Sequence, residues 1–248
     1  MSRTVLITGA SRGIGAATAR LAAAQGDTVC VNYRSGADAA HALVTSIERE
    51  GGHAFAVQAD ISREDDVLRL FAEVDRVCGR LDALVNNAGI LETQSRVEAM
   101  DAARIARVLA TNVVGAFLCA REAVRRMSTR HGGHGGAIVN VSSLAARTGS
   151  PGEYVDYATS KAALDALTIG LAAEVATEGI RVNGVRPGFI DTGIHASGGE
   201  PDRIARLAPS IPMRRGGRPE EVAEAIVWLL SDRASYATGT SLDIAGGR

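Results

Sequence analysis

Short apolar runs alternate with helix-forming stretches from one end of the chain to the other. That alternation limits the fold more than any other feature. Residues 4–8 (TVLIT), 28–33 (TVCVNY), 53–58, 81–85, 137–141, 180–185 and 240–244 read as strands, each short, apolar and bounded by turn residues. Residues 14–25, 37–50, 62–78, 101–130, 153–177 and 220–230 read as helices. Ser62 is expected to cap the third helix, with Asp65 three residues on completing an acidic capping box. The 101–130 helix runs through Ile105, Val108, Val113, Phe117 and Ala120. Strands joined by crossover helices make right-handed βαβ units. The expected fold is α/β, a doubly wound parallel sheet of seven strands with helices on both faces. No repeat, long linker or second domain is visible, so 1–248 reads as a single domain. Residues 187–219, rich in Gly and Pro with a short helix near 201–208, form the only long irregular segment. It follows the carboxyl end of a strand, where open α/β sheets bind ligands, so a substrate lid is expected around 188–217.

Charge narrows the partners. Lys and Arg total 27 against 28 Asp and Glu, a net charge of −1. The basic excess of a nucleic-acid binder is missing, although a local basic pocket stays open. A chain of 248 residues buries enough core to need no metal or disulfide staple. Cys30, Cys78 and Cys119 are far apart and form no CxxC pair, which reads as small buried residues in a reducing compartment. His41, His53, His131, His134 and His195 show no ligand spacing, so no metal site is expected. No run reaches the ~18 apolar residues of a membrane span. Met1-Ser2-Arg3 enters an apolar strand without a leader pattern. A soluble, cytoplasmic protein with no membrane partner is expected.

Thr8-Gly9-Ala10-Ser11-Arg12-Gly13-Ile14-Gly15 joins the first strand to the first helix. Glycine permits unusual backbone angles and close approach. The helix start offers unpaired N–H groups and partial positive charge to a phosphate. The turn therefore reads as a pyrophosphate cradle. The end of the second strand chooses the nucleotide, because a carboxylate there binds the ribose hydroxyls of NAD and repels a 2′-phosphate. This chain has Asn32-Tyr33-Arg34-Ser35, with no acid. Arg34 offers a forked donor to phosphate and Arg12 can reach the same place, so NADP(H) is favoured over NAD(H).

The glycine turn, Asn86-Asn87-Ala88-Gly89 after the fourth strand, Asn112, Ser143, Tyr157-x-x-x-Lys161 and Pro187-Gly188 follow in a set order. In that order and spacing the whole chain resembles a classical short-chain dehydrogenase/reductase. It is most like the 3-oxoacyl-[acyl-carrier-protein] reductase and glucose dehydrogenase-like members. The resemblance implies a Rossmann-type fold and an NADP(H)-dependent oxidoreductase that interconverts a carbonyl and a secondary alcohol, acting on CH–OH donors. Hydride transfer to a ketone builds negative charge on oxygen, which needs a proton donor and an electrophilic neighbour. Tyrosine is a poor acid at about pH 10, and a nearby ammonium stabilises its phenolate. Tyr157 and Lys161 stand at i and i+4 on one helix face. The resemblance further implies that Lys161 holds the nicotinamide ribose, Ser143 bonds the substrate oxygen, and Asn112 binds a water behind the lysine. Ser142 and Ser143 point to opposite faces of a strand, and aligning the family strand selects Ser143. Tyr154 has Ala158 rather than an amine at i+4, which assigns it to the substrate wall.

Further positions carry over by match. Gly9, Ser11, Arg12, Gly13, Ile14 and Gly15 would hold the diphosphate, and Arg34 and Ser35 the 2′-phosphate. Asp60 and Ile61 would touch the adenine; Asn87, Ala88 and Gly89 the adenosine ribose side; Pro187, Gly188, Ile190 and Thr192 the nicotinamide amide and diphosphate. Residues 190–217 with Leu91, Glu92, Leu144, Arg147, Glu153, Tyr154 and His195 would shape substrate choice. Ala245 replaces an acid usual in the family's tail, which puts tail contacts across a subunit interface in doubt. Family members are commonly tetramers built on the two long helices, so a homotetramer is expected. Two other functions stay open. One is a 3-oxoacyl-[acyl-carrier-protein] reductase of fatty acid synthesis, whose acidic carrier would dock on a basic rim made by Arg125, Arg126 and Arg130. The other is a non-catalytic NADP-binding sensor or scaffold.

Overall fold

Val5 and Ile7 face one side of the first strand and Leu6 the other, and the same period-two split repeats across the sheet. The computed structural model describes residues 2–248. Its strands are β1 (Thr4–Ile7), β2 (Thr28–Tyr33), β3 (His53–Gln58), β4 (Ala83–Asn86), β5 (Gly136–Val141), β6 (Ile180–Pro187) and β7 (Ser241–Ile244). All neighbours pair in parallel, in the order β3-β2-β1-β4-β5-β6-β7. The helices are α1 (Gly13–Ala24), α2 (Ala37–Arg49), α3 (Glu64–Cys78), α4 (Ala102–Leu109), α5 (Gly115–Met127), α6 (Ala145–Thr148), α7 (Val155–Val175), α8 (Ile194–Ser197), α9 (Arg203–Leu207) and α10 (Pro219–Leu230). The doubly wound seven-stranded α/β sheet expected from the sequence is therefore present.

Each face has its own core. Val5, Ile7, Val29, Val31, Val85 and Val139 pack under α1, α2 and α10. Leu6, Cys30, Leu84, Ile138 and Val182 pack under α3, α5 and α7, with Phe71 and Met127 fully buried. Both faces being covered explains the continuous apolar runs. Cys30 and Cys119 are buried in the second core, and all three cysteines are free thiols. Strand order reverses between β1 and β4. The loops that follow these two strands splay apart there and open a crevice at the carboxyl edge.

The structure corrects several local expectations. Ser62 does not cap α3; its hydroxyl donates to Asp60 at 2.7 Å, and Arg63 precedes the helix with no side-chain cap. Asp66, not Asp65, reaches back to accept the Asp60 N–H at 2.9 Å. The expected 101–130 helix is continuous only through a π-helical turn, Ala110–Val114, between α4 and α5. Val108 and Ala120 pack inward, whereas Ile105 and Phe117 lie exposed. One 18-residue window of the Ala102–Met127 stretch is apolar enough for a membrane span by composition alone, a test that core helices also pass. In the fold it packs on the sheet and on α7, where Arg104 donates to Asp156 at 2.8 Å in a buried ion pair. The 187–219 segment holds α8 and α9 rather than one helix.

Candidate active site

The crevice is held open by glycine and closed by asparagine. Gly9 has φ +61°, and a Cβ there would stand 2.8 Å from the Ala88 Cα. No other residue fits. Thr8 Oγ1 accepts the N–H groups of Asn87 and Ala88 at 3.0 Å, and Asn87 Nδ2 donates to the carbonyls of Thr8 and Gly9. These bonds lash the loop after β1 to the loop after β4. Between them lies a cavity of about 590 Å³ that runs from the glycine turn to the 188–217 segment.

Most expected residues meet there. Gly9, Ser11, Arg12, Gly13 and Ile14 line one end with Arg34, Ser35, Asp60 and Ile61. Asn87, Ala88, Gly89, Ser143, Tyr157, Lys161, Pro187, Gly188, Ile190 and Thr192 line the rest. Gly15 does not line the cavity: a Cβ there would meet the Asn87 amide at 2.6 Å, so its smallness serves loop packing. Arg12 and Arg34 form no ion pair with an acid among the described residues, unlike most arginines of this chain. Asn32 is a brace, accepting from the Gly9 N–H at 3.2 Å and donating to the carbonyls of Val57 and Ala59.

The far end carries the chemistry-bearing side chains. Ser143 follows β5, its hydroxyl accepting from the Ala145 N–H at 3.1 Å and lying close enough to the Tyr157 phenol to act on its proton. Ser142 faces away, donating to the Lys161 carbonyl at 2.9 Å, so the two serines divide as expected. Burial pushes the Tyr157 phenol above its ordinary pKa, and the Ser143 hydroxyl pulls it back down. The Lys161 Nζ donates to the Val141 carbonyl at 2.7 Å and lies 5.6 Å from the centre of the Tyr157 ring. Burial draws its pKa down to about 8, against a small upward pull from Asp165. Gly89 leaves room for it, since a Cβ there would come within 3.3 Å of Nζ. Asn112 is fully buried in the π-helical turn behind the lysine and does not line the cavity. Its Oδ1 accepts from Ile90 N at 2.8 Å, while Nδ2 donates to Ile90 O and Ser160 Oγ. A side chain so occupied fixes the loop after β4; the group left for a water at this position is backbone, where a π turn interrupts the i→i+4 ladder.

The substrate end differs from expectation in part. Leu91, Leu144, Glu153, Tyr154 and His195 line it, but Glu92 pairs with Arg107 and Arg147 with Asp243, and neither reaches the cavity. Phe189 lines the cavity just outside the expected 190–217 segment, and Arg203 lies within that segment without being singled out. The Arg203 guanidinium lies 5.0 Å over the Tyr154 ring and 5.5 Å over Phe189, and it pairs with Glu153 and Glu200. Its partners come from distant parts of the chain, and an arginine in a short helix reads as a solvated one. The expected basic rim fails. Arg125 and Arg126 bond Glu122 and Asp75, and Arg130 bonds Glu178. They stand near the amino end of β5, across the sheet from the cavity. Among 27 basic residues Lys161 is the only lysine, the other 26 being arginine. A guanidinium stays charged at any ordinary pH, whereas a buried ammonium is tunable.

Comparison with known proteins agrees with this geometry. A family model described as enoyl-(acyl carrier protein) reductase matches residues 9–248. The chain is 62% identical over 243 residues to the uncharacterized oxidoreductase YgfF of Escherichia coli, covering 98% of each. It is 42% identical to 3beta-hydroxysteroid dehydrogenase 1 of Eggerthella lenta, over 99% of this chain and 93% of that one. It is 36% identical to the 3-oxoacyl-[acyl-carrier-protein] reductase FabG of Staphylococcus epidermidis, over 100% and 99%. A crystal structure of a short-chain type dehydrogenase/reductase from Mycobacterium marinum superposes with a TM-score of 0.92 at 36% identity, covering 99% and 94%. Fold, cavity and full-length similarity together make this chain an oxidoreductase of the short-chain dehydrogenase/reductase family.

Proposed function

We propose that the protein is an NADP(H)-dependent reductase and dehydrogenase of a small-molecule carbonyl and secondary alcohol pair. One observation carries the reading: Ser143, Tyr157 and Lys161 form one wall of a cavity whose other end is a glycine turn with two arginines lacking acid partners. The cradle fits a dinucleotide, because Gly9 and Gly13 have positive φ and a side chain at Gly9 would fill the space. When bound, the nicotinamide group supplies or takes the hydride. Arg12, Arg34 and Ser35 hold the 2′-phosphate, and the N–H groups at the start of α1 face the diphosphate. Ser143 donates a hydrogen bond to the substrate oxygen. Tyr157 gives that oxygen its proton in reduction, where the neutral phenol favoured by burial is the needed form. In the reverse direction Tyr157 takes the proton from the alcohol, and the Lys161 ammonium favours the phenolate that does so.

The apolar wall of Leu91, Leu144, Tyr154 and Phe189 suits an apolar ketone, and the hydroxysteroid dehydrogenase relative supports that class. A 3-oxoacyl-carrier substrate is the second reading, carried by full-length similarity to FabG. The neutralised Arg125, Arg126 and Arg130 give it no docking rim. The segment 188–217 acts as the lid, and the protein works as a cytoplasmic homotetramer built on α5 and α7, a reading supported by free thiols and exposed apolar side chains. Tyr157→Phe tests the function. Turnover of a ketone panel with NADPH should fall about 10²–10⁴-fold, with NADPH affinity kept. Retained turnover, or wild-type protein that binds no nicotinamide nucleotide, overturns the proposal. An acyl-carrier thioester turned over faster than every free ketone selects the second reading.

A further inference from the structure

Lys161 sits where an ammonium is costly. It is 3% exposed and its only hydrogen bond goes to the Val141 carbonyl, with no carboxylate paired to it. Gly89, where a Cβ would come within 3.3 Å of Nζ, is neutral. One turn further along α7 stands Asp165, at i+4 from the lysine and so on the same side of the helix. Asp165 is largely buried, and Arg186 Nε donates to its Oδ2 at 2.8 Å. Its Oδ1 is buried without any partner. A carboxylate oxygen left without a hydrogen bond away from water is expensive. A bidentate pair with Arg186 would have used both oxygens. Arg186 does not fork: its Nη1 turns to Asp243 at 3.2 Å, and Asp243 also takes Arg147. Alternating charges therefore run from Lys161 through Asp165, Arg186 and Asp243 to Arg147, crossing α7, β6, β7 and α6 to the surface.

We propose that Asp165 is a positioning residue for the reaction, its carboxylate offsetting the burial of the Lys161 ammonium and keeping it charged beside Tyr157. Arg186 and Asp243 set how much of that field reaches the lysine. The inference rests on the roles given to Tyr157 and Lys161 above. Its direction agrees with the upward pull of Asp165 on a lysine that burial brings down to about 8. Neighbouring charges in so dry a place are poorly screened. Among the described residues Asp165 is the one charge that acts on Nζ, and the Tyr157 phenol beside it is neutral.

The single lysine makes the test direct. Protein grown with isotope-labelled lysine gives one side-chain signal, whose pH titration reads Lys161 alone, with and without NADPH. Asp165→Asn, which keeps an acceptor for Arg186, should lower the titration midpoint by on the order of one pH unit. Asp165→Glu should restore it, and Arg186→Gln should raise it. The kcat/KM profile for alcohol oxidation, which needs the Tyr157 phenolate, should rise only at higher pH in Asp165→Asn, because the ammonium that favours the phenolate is lost sooner. A midpoint that stays in place in folded Asp165→Asn overturns the inference. If that variant does not fold, Arg186→Gln decides: an upward shift supports the inference, and no shift or a downward one overturns it. A shift seen in a wild-type protein without any turnover sinks the functional reading and leaves the electrostatic coupling; turnover without a shift sinks the coupling alone.

Discussion

At the end of β2 the chain places Asn32, Tyr33, Arg34 and Ser35, and none of them can stand in for a carboxylate on ribose hydroxyls. Asn32 is spent bracing the glycine turn and the end of β3. Arg34 and Arg12 line the cavity without acid partners. In a chain where Glu122 collects three arginines and Glu178 a fourth, that isolation is a choice of position. A charge-assisted hydrogen bond from Arg34 to a phosphate is worth about 1.5–3 kcal/mol. Arg34→Asp should therefore cut kcat/KM for NADPH by about 10–100-fold, while kcat/KM with NADH holds or rises. Equal losses with both nucleotides would mean that Arg34 serves the fold and not the choice of cofactor. The sequence makes this position legible because chemistry there depends on residue type alone. It is less informative about Gly15 and Asn87, since spacing does not separate a residue that cradles a ligand from one that braces the cradle. The sidechain amide of Asn112 is a similar case: its place in the motif is readable, and its three hydrogen bonds to Ile90 and Ser160 need the folded chain.

Elements separate in the same way. Strands β2 and β3 begin and end where apolar pattern and turn residues say they should, because local preference and tertiary burial agree there. The π-helical turn inside the long helix is illegible. Nothing in Ala110–Val114 breaks a helix, and the turn is held by packing on α7 and by the bonds of Asn112 to Ile90 and Ser160. The segment 188–217 is legible as irregular, yet its internal ties come from elsewhere: Arg203 to Glu153, the Tyr154 hydroxyl to the Gly198 carbonyl at 3.2 Å, and His195 Nε2 to the Ile190 carbonyl at 2.9 Å. His195 is 9% exposed, its Nδ1 has no partner, and its pKa is lowered, first by burial and then by Arg203, against the Ile190 bond. Since the folded lid binds this proton less readily than the unfolded chain, the stabilisation from neutral His195 is complete above about pH 6.5 and is lost as pH falls toward the lowered folded value. Hydrogen-exchange protection factors across 190–207, with the intrinsic pH dependence divided out, should fall on acidification through that window, and His195→Gln should flatten the dependence. An unchanged profile in the variant would assign the lid's acid sensitivity to other groups.

At the scale of the whole molecule, one sheet decides where chemistry can occur and where another copy can bind. The order β3-β2-β1-β4-β5-β6-β7 puts the switch point between β1 and β4. The glycine turn, the Asn86–Gly89 loop and the Ser143 loop therefore converge at one edge although they lie far apart in sequence. The opposite faces of the covering helices are free, and on two of them apolar side chains remain in water: Phe117 on α5 is 50% exposed and Ile169 on α7 is 59% exposed. Gly170 lies beside Ile169 in the interior of α7, where a Cβ would meet nothing within 4 Å. A glycine there costs about 1 kcal/mol against alanine, and nothing within this chain requires it. A second helix brought close to this face would require it, because only glycine leaves the backbone bare. The sequence shows the glycine as a helix-weakening residue, and its reason becomes visible only when the space around it is known to be empty. Gly170→Trp should leave the circular dichroism spectrum intact, fill space that is open in one chain, and reduce the mass measured by light scattering below that of the proposed tetramer. Gly170→Ala should perturb assembly less and raise the stability of any monomer. A tryptophan variant that keeps the full assembly would place the subunit contact on another face, and the exposed Phe117 and Ile169 would then need a different partner.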